Sequence, residues 1–199
     1  MENKNDLSSL SEALATCGLW VSDDFISMQL TEELLRISVE KKEMNQFRPA
    51  KIGKGVARKK IKEIRGDEIH WIEDWSLPSL LIIQEKLTEV MGTIRKELFI
   101  PLKRFESQFA HYPPNSRYLR HQDRHKVQPH RWISAVIYLG LWNEGDGGAL
   151  IVKNSIGEDR TVYPTQGRIA VFLSELEHEV KKTNVDRWSL TTWFRDDVL

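Results

Sequence analysis

The sequence changes period at Pro101, and this switch limits the fold more than any other feature. Beyond it, apolar residues alternate in short runs separated by turn residues. The runs are Arg104–Tyr112, Arg131–Leu141, Gly148–Val152, Arg160–Tyr163, Arg168–Leu173, Glu177–Lys181 and Trp188–Arg195. The breaks between them include Pro113-Pro114-Asn115, Asn143 to Gly148, Asn154 to Glu158 and Pro164-Thr165-Gln166-Gly167, residue types that favour turns. Many short strands at regular spacing predict a sandwich or barrel. Before Pro101 the spacing is three and four. Leu7, Leu10, Leu14, Phe25, Leu30, Leu34, Leu35 and Val39 predict helix over the first forty residues, and Leu80 to Ile94 predict a second helix over about 80–98. The expected fold class is α+β, with N-terminal helices packed on a β jelly-roll.

A length of 199 residues suits one domain, 1–199, with residues 1–100 as helical support and 101–199 as the jelly-roll core. Between these helices, the stretch of about residues 44–63 contains Pro49, Gly53 and Gly55. From Lys51 to Arg65 it carries seven basic residues and one acid. It reads as a solvated connector or as a lid over a site. The formal net charge is zero, so no general attraction to nucleic acid or to anionic membrane is indicated. Cys17 is the single cysteine. This excludes an internal disulfide and multi-cysteine zinc sites, and it favours a reducing, cytoplasmic setting. No signal peptide is read at the N-terminus, and no stretch approaches the roughly 20 apolar residues of a membrane span.

His121-Gln122-Asp123 follows the short extended segment Tyr118-Leu119-Arg120. In extended chain, residues i and i+2 point to one side, so an imidazole and a carboxylate are aimed together. His178 lies in a later predicted strand, and alternation turns its neighbours Glu177 and Glu179 away from it. Two histidines and one carboxylate on one side of a metal leave open positions, the facial arrangement suited to Fe(II) oxygen chemistry. A His-x-Asp pair alone is weak evidence, since this composition produces one by chance often enough. The downstream residues strengthen it. A co-substrate that chelates iron through one end and carries a second carboxylate needs a cation offering two parallel donors, which arginine provides. Arg187 begins a strand in which Arg187, Ser189, Thr191 and Trp193 share one face. In the Trp132–Leu139 run, Trp132, Ser134, Val136 and Tyr138 share a face, while Ile133, Ala135, Ile137 and Leu139 read as core. Tyr138 reads either as a partner for the same carboxylate or as an ordinary half-buried tyrosine.

From about Arg104 to Asp196, these residues resemble the prolyl 4-hydroxylase branch of the 2-oxoglutarate oxygenases. The ordered skeleton is Tyr112-Pro113, Tyr118-x-Arg120-His121-x-Asp123, Tyr138-Leu139, Gly147-Gly148-x-Leu150, Pro164, Gly167-Arg168, Phe172, His178-Glu179-Val180 and Arg187-x-x-x-Thr191-x-Trp193. Upstream, Ile64-Arg65-Gly66-Asp67 and Trp71-Ile72-Glu73 are similar to the oxygen-sensing prolyl hydroxylases of animals and their bacterial relatives. The resemblance implies a double-stranded β-helix, with residues 44–63 as a finger loop over a protein substrate. It implies His121, Asp123 and His178 as Fe(II) ligands and Arg187 as the partner of the far carboxylate of 2-oxoglutarate. Tyr138, Thr191, Tyr112 and Trp193 become pocket residues. Arg131 becomes a rim arginine, expected to pair with Asp67 and tether the loop base to the barrel. Trp71 is left as a substrate contact or a core tryptophan. The link from Asp123 to Arg131, with His125 and His130, departs from the animal pattern, and both histidines read as exposed loop residues.

The resemblance further implies a prolyl residue of a protein as target, with O2 as oxidant, ascorbate as reductant, and succinate and CO2 as by-products. Bacterial relatives act on elongation factor Tu, and animal ones on a hypoxia-factor degron. A monomer is expected. Four competitors are weighed, one of them a metal-storage or cupin-like structural protein, which would need neither Arg187 nor Tyr138. Nucleic-acid demethylases carry paired arginines six apart, whereas Arg187 and Arg195 are eight apart. A small-molecule oxygenase needs no finger loop. A non-catalytic metal-binding module would be marked by loss of a ligand or of the arginine, and all four residues are present.

Overall fold

The computed structural model describes residues 7–23, 25–50 and 64–198. Helix α1 (Leu10–Thr16) ends at Cys17, and Gly18 follows with φ +74°. That left-handed backbone suits glycine, which has no Cβ to clash. A Cβ there would also collide with Ser155 and Leu176. The chain instead turns into β1 (Leu19–Ser22), antiparallel to the strand Ile169–Leu173. The expectation of continuous helix over the first forty residues is therefore corrected, because a strand separates α1 from α2 (Met28–Glu43). Ser27 caps α2, its hydroxyl oxygen accepting from the Leu30 N–H. Helix α3 (Pro78–Leu98) starts on a proline, whose missing N–H costs nothing in the first turn. It buries Leu80, Ile83, Leu87, Val90 and Ile94 at the spacing read in the sequence.

The remaining strands are β2 (Arg48–Pro49), β3 (Glu68–Trp71), β4 (Arg104–Tyr112), β5 (Tyr118–His121), β6 (Arg131–Tyr138), β7 (Leu150–Lys153), β8 (Asp159–Val162), β9 (Ile169–Leu173), β10 (His178–Val180) and β11 (Arg187–Arg195). They form a seven-stranded sheet in the order β1-β9-β6-β11-β4-β3-β2 and a four-stranded sheet in the order β5-β10-β7-β8. Adjacent strands are antiparallel. This is the expected α+β jelly-roll. Of the predicted finger loop, residues 44–50 enter β2, and residues 51–63 lie outside the described residues.

Alternation along the large sheet divides the core in two. Ile133, Ile137, Leu190 and Phe194 join Leu14, Leu34, Leu87 and Ile94 of the helices on its outer face. Val136, Tyr138 and Phe172 on its inner face meet Leu150, Val152 and Val180 of the small sheet. The helices thus brace the large sheet from behind, and the space between the sheets is left for the site. Among the described residues, no helix is long and apolar enough to cross a membrane.

Removing buried side chains from the brace has a measurable cost. Leu87 is fully buried, whereas Leu81 on the same helix is 44% exposed. Leu87→Ala should cost about 2–5 kcal/mol and Leu81→Ala less than about 1 kcal/mol in urea unfolding. Equal losses would contradict the packing of α3 against the sheet.

Candidate metal centre and co-substrate pocket

The metal ligands come from the small sheet and the turn beside it. Strands β5 and β10 pair in a register that sets His121 directly opposite His178. Opposed residues of an antiparallel pair share a face, and the two ring centroids are 4.2 Å apart. Asp123 lies just beyond β5. Its N–H donates to the Ser174 carbonyl at 3.0 Å, and its Oδ2 accepts from the Ser134 hydroxyl at 2.7 Å. Asp123 Oδ1 is 3.7 Å from His121 Nε2, and Oδ2 is 3.4 Å from His178 Nε2. One ligand atom from each of the three residues lies within 4.8 Å of the others. Each imidazole is oriented by the carbonyl two residues before it. The Nδ1–H of His121 donates to Leu119 O and that of His178 to Leu176 O, each at 2.9 Å. This leaves both Nε2 lone pairs facing the shared point, as metal ligation requires.

The electrostatics fit a cation. Burial pushes the Asp123 carboxyl up, but the flanking imidazoles outweigh it and hold the group well below the usual carboxylate range. Burial lowers His121. Burial acts in the same direction on His178, yet the Asp123 carboxylate overrides it and raises the imidazole above 6.5. Glu179 turns outward to Arg120 at 3.1 Å and Lys181 at 3.0 Å. His125 and His130 are exposed, and His130 bonds Asp196 at 2.8 Å. None of these joins the centre.

The triad opens into a cavity of about 790 Å3, also lined by Asp67, Trp71, Tyr112, Arg131, Arg187, Ser189, Thr191 and Trp193. Arg187 is 5% exposed and forms no ion pair with any described residue. Its Nε donates to Gly148 O at 2.9 Å. A side chain at Gly148, where φ is +70°, would press on the Arg187 stem at 3.0 Å, so the glycine lets the loop wrap the arginine. The Tyr112 and Tyr138 rings each lie 5.0 Å from the guanidinium carbon. Tyr138 lies beneath Arg187 rather than on the cavity wall, and its buried hydroxyl has no partner among the described residues. Burial raises both tyrosines, so both stay neutral donors. A buried cation without a counter-charge beside an unpartnered hydroxyl fits the carboxylate of a bound 2-oxoglutarate.

The expected Arg131–Asp67 tether is absent. Arg131 donates twice to Glu106, at 2.8 and 2.6 Å, and lies 3.8 Å over the Trp193 ring. Asp67 is held bidentately by Arg65 at 2.7 and 2.8 Å. The reason is local. Glu106 stands opposite Trp193 in the β4–β11 register, next to Arg131, whereas Arg65 is two residues from Asp67 on the same segment. Trp71 is 39% exposed and packs 5.8 Å from Trp193, which places it at the mouth rather than in the core. Sequence reasoning passed over Ser134, Leu119 O and Leu176 O. A serine at the centre of an otherwise apolar buried strand face was the available signal for Ser134. The two carbonyls had none.

Metal binding should be coupled to pH with a definite sign. His178 must be neutral to ligate, and the Asp123 carboxylate, by raising its pKa, lets a proton compete above the usual imidazole range. Apparent Mn(II) or Co(II) affinity should therefore rise with pH through this range and then level off, with proton release on binding visible by calorimetry in buffers of different ionisation enthalpy. Ser134→Ala should weaken affinity by roughly 10-fold or more. A flat pH profile with no proton release would contradict the assignment.

A family model for the 2OG-Fe(II) oxygenase superfamily matches residues 107–195, from β4 through β11. The chain is similar to a Pseudomonas putida prolyl-4-hydroxylase at 32% identity, with 96% of this chain and 100% of that one covered and a TM-score of 0.86. It shares its fold with a Trichoplax adhaerens prolyl hydroxylase solved with a hypoxia inducible factor peptide, at 22% identity, 95% and 88% coverage and a TM-score of 0.86. A viral collagen prolyl hydroxylase from Paramecium Bursaria Chlorella virus-1 follows at 16% identity, 92% and 98% coverage and a TM-score of 0.67. With the triad and the buried arginine inside the matched region, the chain belongs to the 2-oxoglutarate- and Fe(II)-dependent oxygenases, in their prolyl 4-hydroxylase family.

Proposed function

We propose that the protein hydroxylates a prolyl residue of a protein substrate to 4-hydroxyproline, consuming 2-oxoglutarate and O2 and releasing succinate and CO2. The observation that carries this reading is a cavity lined by both the His121–Asp123–His178 triad and the unpaired Arg187. When bound, Fe(II) would supply the oxygen chemistry of the reaction. The chain supplies position and field. His121, Asp123 and His178 would hold the metal, and Ser134 keeps Asp123 turned toward it. Arg187, backed by Tyr138 and with Thr191 on the same wall, would fix the far carboxylate of 2-oxoglutarate. Trp71 and Trp193 form an aromatic edge at the mouth, a surface against which a pyrrolidine ring can stack. Arg195 is occupied by Glu106 and Asp197, so of the two β11 arginines Arg187 is the one left for an anion.

A protein rather than a small substrate is supported by the peptide bound to the Trichoplax adhaerens enzyme. Elongation factor Tu is the first candidate, by resemblance to bacterial relatives. Ascorbate as reductant, a cytoplasmic setting and a monomeric state accompany this reading as expectations.

Purified elongation factor Tu should stimulate succinate formation by the Fe(II)-loaded protein with ascorbate present. Mass spectrometry should show one added oxygen on a proline. His121→Ala should abolish both signals. Slow, unstimulated turnover with no modified proline would remove elongation factor Tu as the substrate. Absence of any turnover in the wild type would overturn the reading as a whole.

A further inference from the structure

The two histidines of the triad are supported unequally. His178 lies on β10, flanked by β5 and β7 within the small sheet, and Phe172 packs edge-on to its ring at 4.8 Å. His121 ends β5, the edge strand of that sheet. An edge strand is bonded on one side only, so a ligand placed there needs support from outside the sheet. That support is a three-layer stack. The Tyr118 ring lies on the His121 ring with centroids 3.6 Å apart and planes 18° from parallel. The Arg65 guanidinium covers Tyr118 at 4.4 Å. Asp67, buried to 3% exposure, fixes the guanidinium through two hydrogen bonds. The backbone is joined as well, by a bridge between Arg65 and Tyr118 and a bond from Gly66 N to Arg117 O at 2.9 Å.

We infer that Arg65 and Tyr118 are positioning residues for the metal ligand His121, acting in series through ring stacking. Arg65 does not approach the triad as a ligand or a counter-charge. It acts on Tyr118, whose ring limits rotation of the imidazole about the axis that the Leu119 carbonyl leaves free. Cation–π contact depends on a delocalised planar cation, so lysine at position 65 retains the charge beside Asp67 and loses the layer. The phenol oxygen has no part in this role, whereas the ring does. The inference rests on His121 being a metal ligand, and the test separates the two claims.

Cobalt(II) serves as probe in the full chain, without co-substrate or protein substrate, read by affinity and by the visible d–d spectrum. Tyr118→Leu and Arg65→Lys should each weaken Co(II) binding by about 10-fold, the range for residues that orient ligands, and each should alter the d–d bands. Tyr118→Phe should restore wild-type affinity and spectrum. Arg65→Lys combined with Tyr118→Leu should bind no worse than Tyr118→Leu alone, because one acts through the other. Melting of the metal-free proteins identifies a variant that has not folded. If that is Tyr118→Leu, Arg65→Lys against the wild type decides. Wild-type affinity and spectrum in Arg65→Lys, or independent additive losses, would overturn the series arrangement. Failure of the wild type to bind Co(II) would instead overturn the ligand assignment of His121.

Discussion

A guanidinium buried without a counter-charge is costly, and the site is organised around one. Arg187 sits at the start of β11, nine-tenths or more out of solvent, donating to the Gly148 carbonyl and, at 3.5 Å, to the Ser189 hydroxyl. Burying a charge costs several kcal/mol unless something pairs with it. A fold that accepts this at one position, beside an unpartnered tyrosine hydroxyl and facing a metal triad, is shaped for an anion supplied from outside. The wrapping Gly147–Gly148 loop, the flanking tyrosines and the inner face of the large sheet all serve to hold that one cation in place.

The two ends of the site rest on different sheets. Arg187, Thr191 and Trp193 belong to β11 at the centre of the large sheet, bonded on one side to β4 and on the other to β6. The histidines belong to the small sheet, and Asp123 is tied across to the large one through Ser134. The distance between metal and arginine is therefore set by how the sheets face each other, and the helices stiffen the larger sheet from behind. Rigid strands position reacting groups better than loops do, which explains why Asp123, just off a strand end, carries additional bonds to Ser134 and Ser174.

Much of this was legible in the sequence because it follows strict alternation. The period of two placed Arg187, Thr191 and Trp193 on one face, turned Glu177 and Glu179 away from His178, and divided β6 into a core face and a site face. The family resemblance supplied the roles. What failed was whatever depended on register or on a single turn. The strand β1 was hidden because Leu10, Leu14 and Phe25 keep helical spacing across it, and only Gly18 marks the break. The Arg131–Asp67 pair failed because sequence does not tell which carboxylate the folded sheet will present, and β4, across β11 from β6, presented Glu106. The carbonyls of Leu119 and Leu176 are backbone atoms with no residue-type signature.

The most direct test of the account is an anaerobic titration of the Fe(II)-loaded protein with 2-oxoglutarate, run beside 2-oxobutyrate. The second compound keeps the metal-chelating end and lacks the far carboxylate. Leaving a buried charge unpaired costs about 2–5 kcal/mol, so 2-oxoglutarate should bind on the order of 100-fold more tightly. Equal affinities would show that Arg187 does not receive the carboxylate, and would contradict the account at its centre.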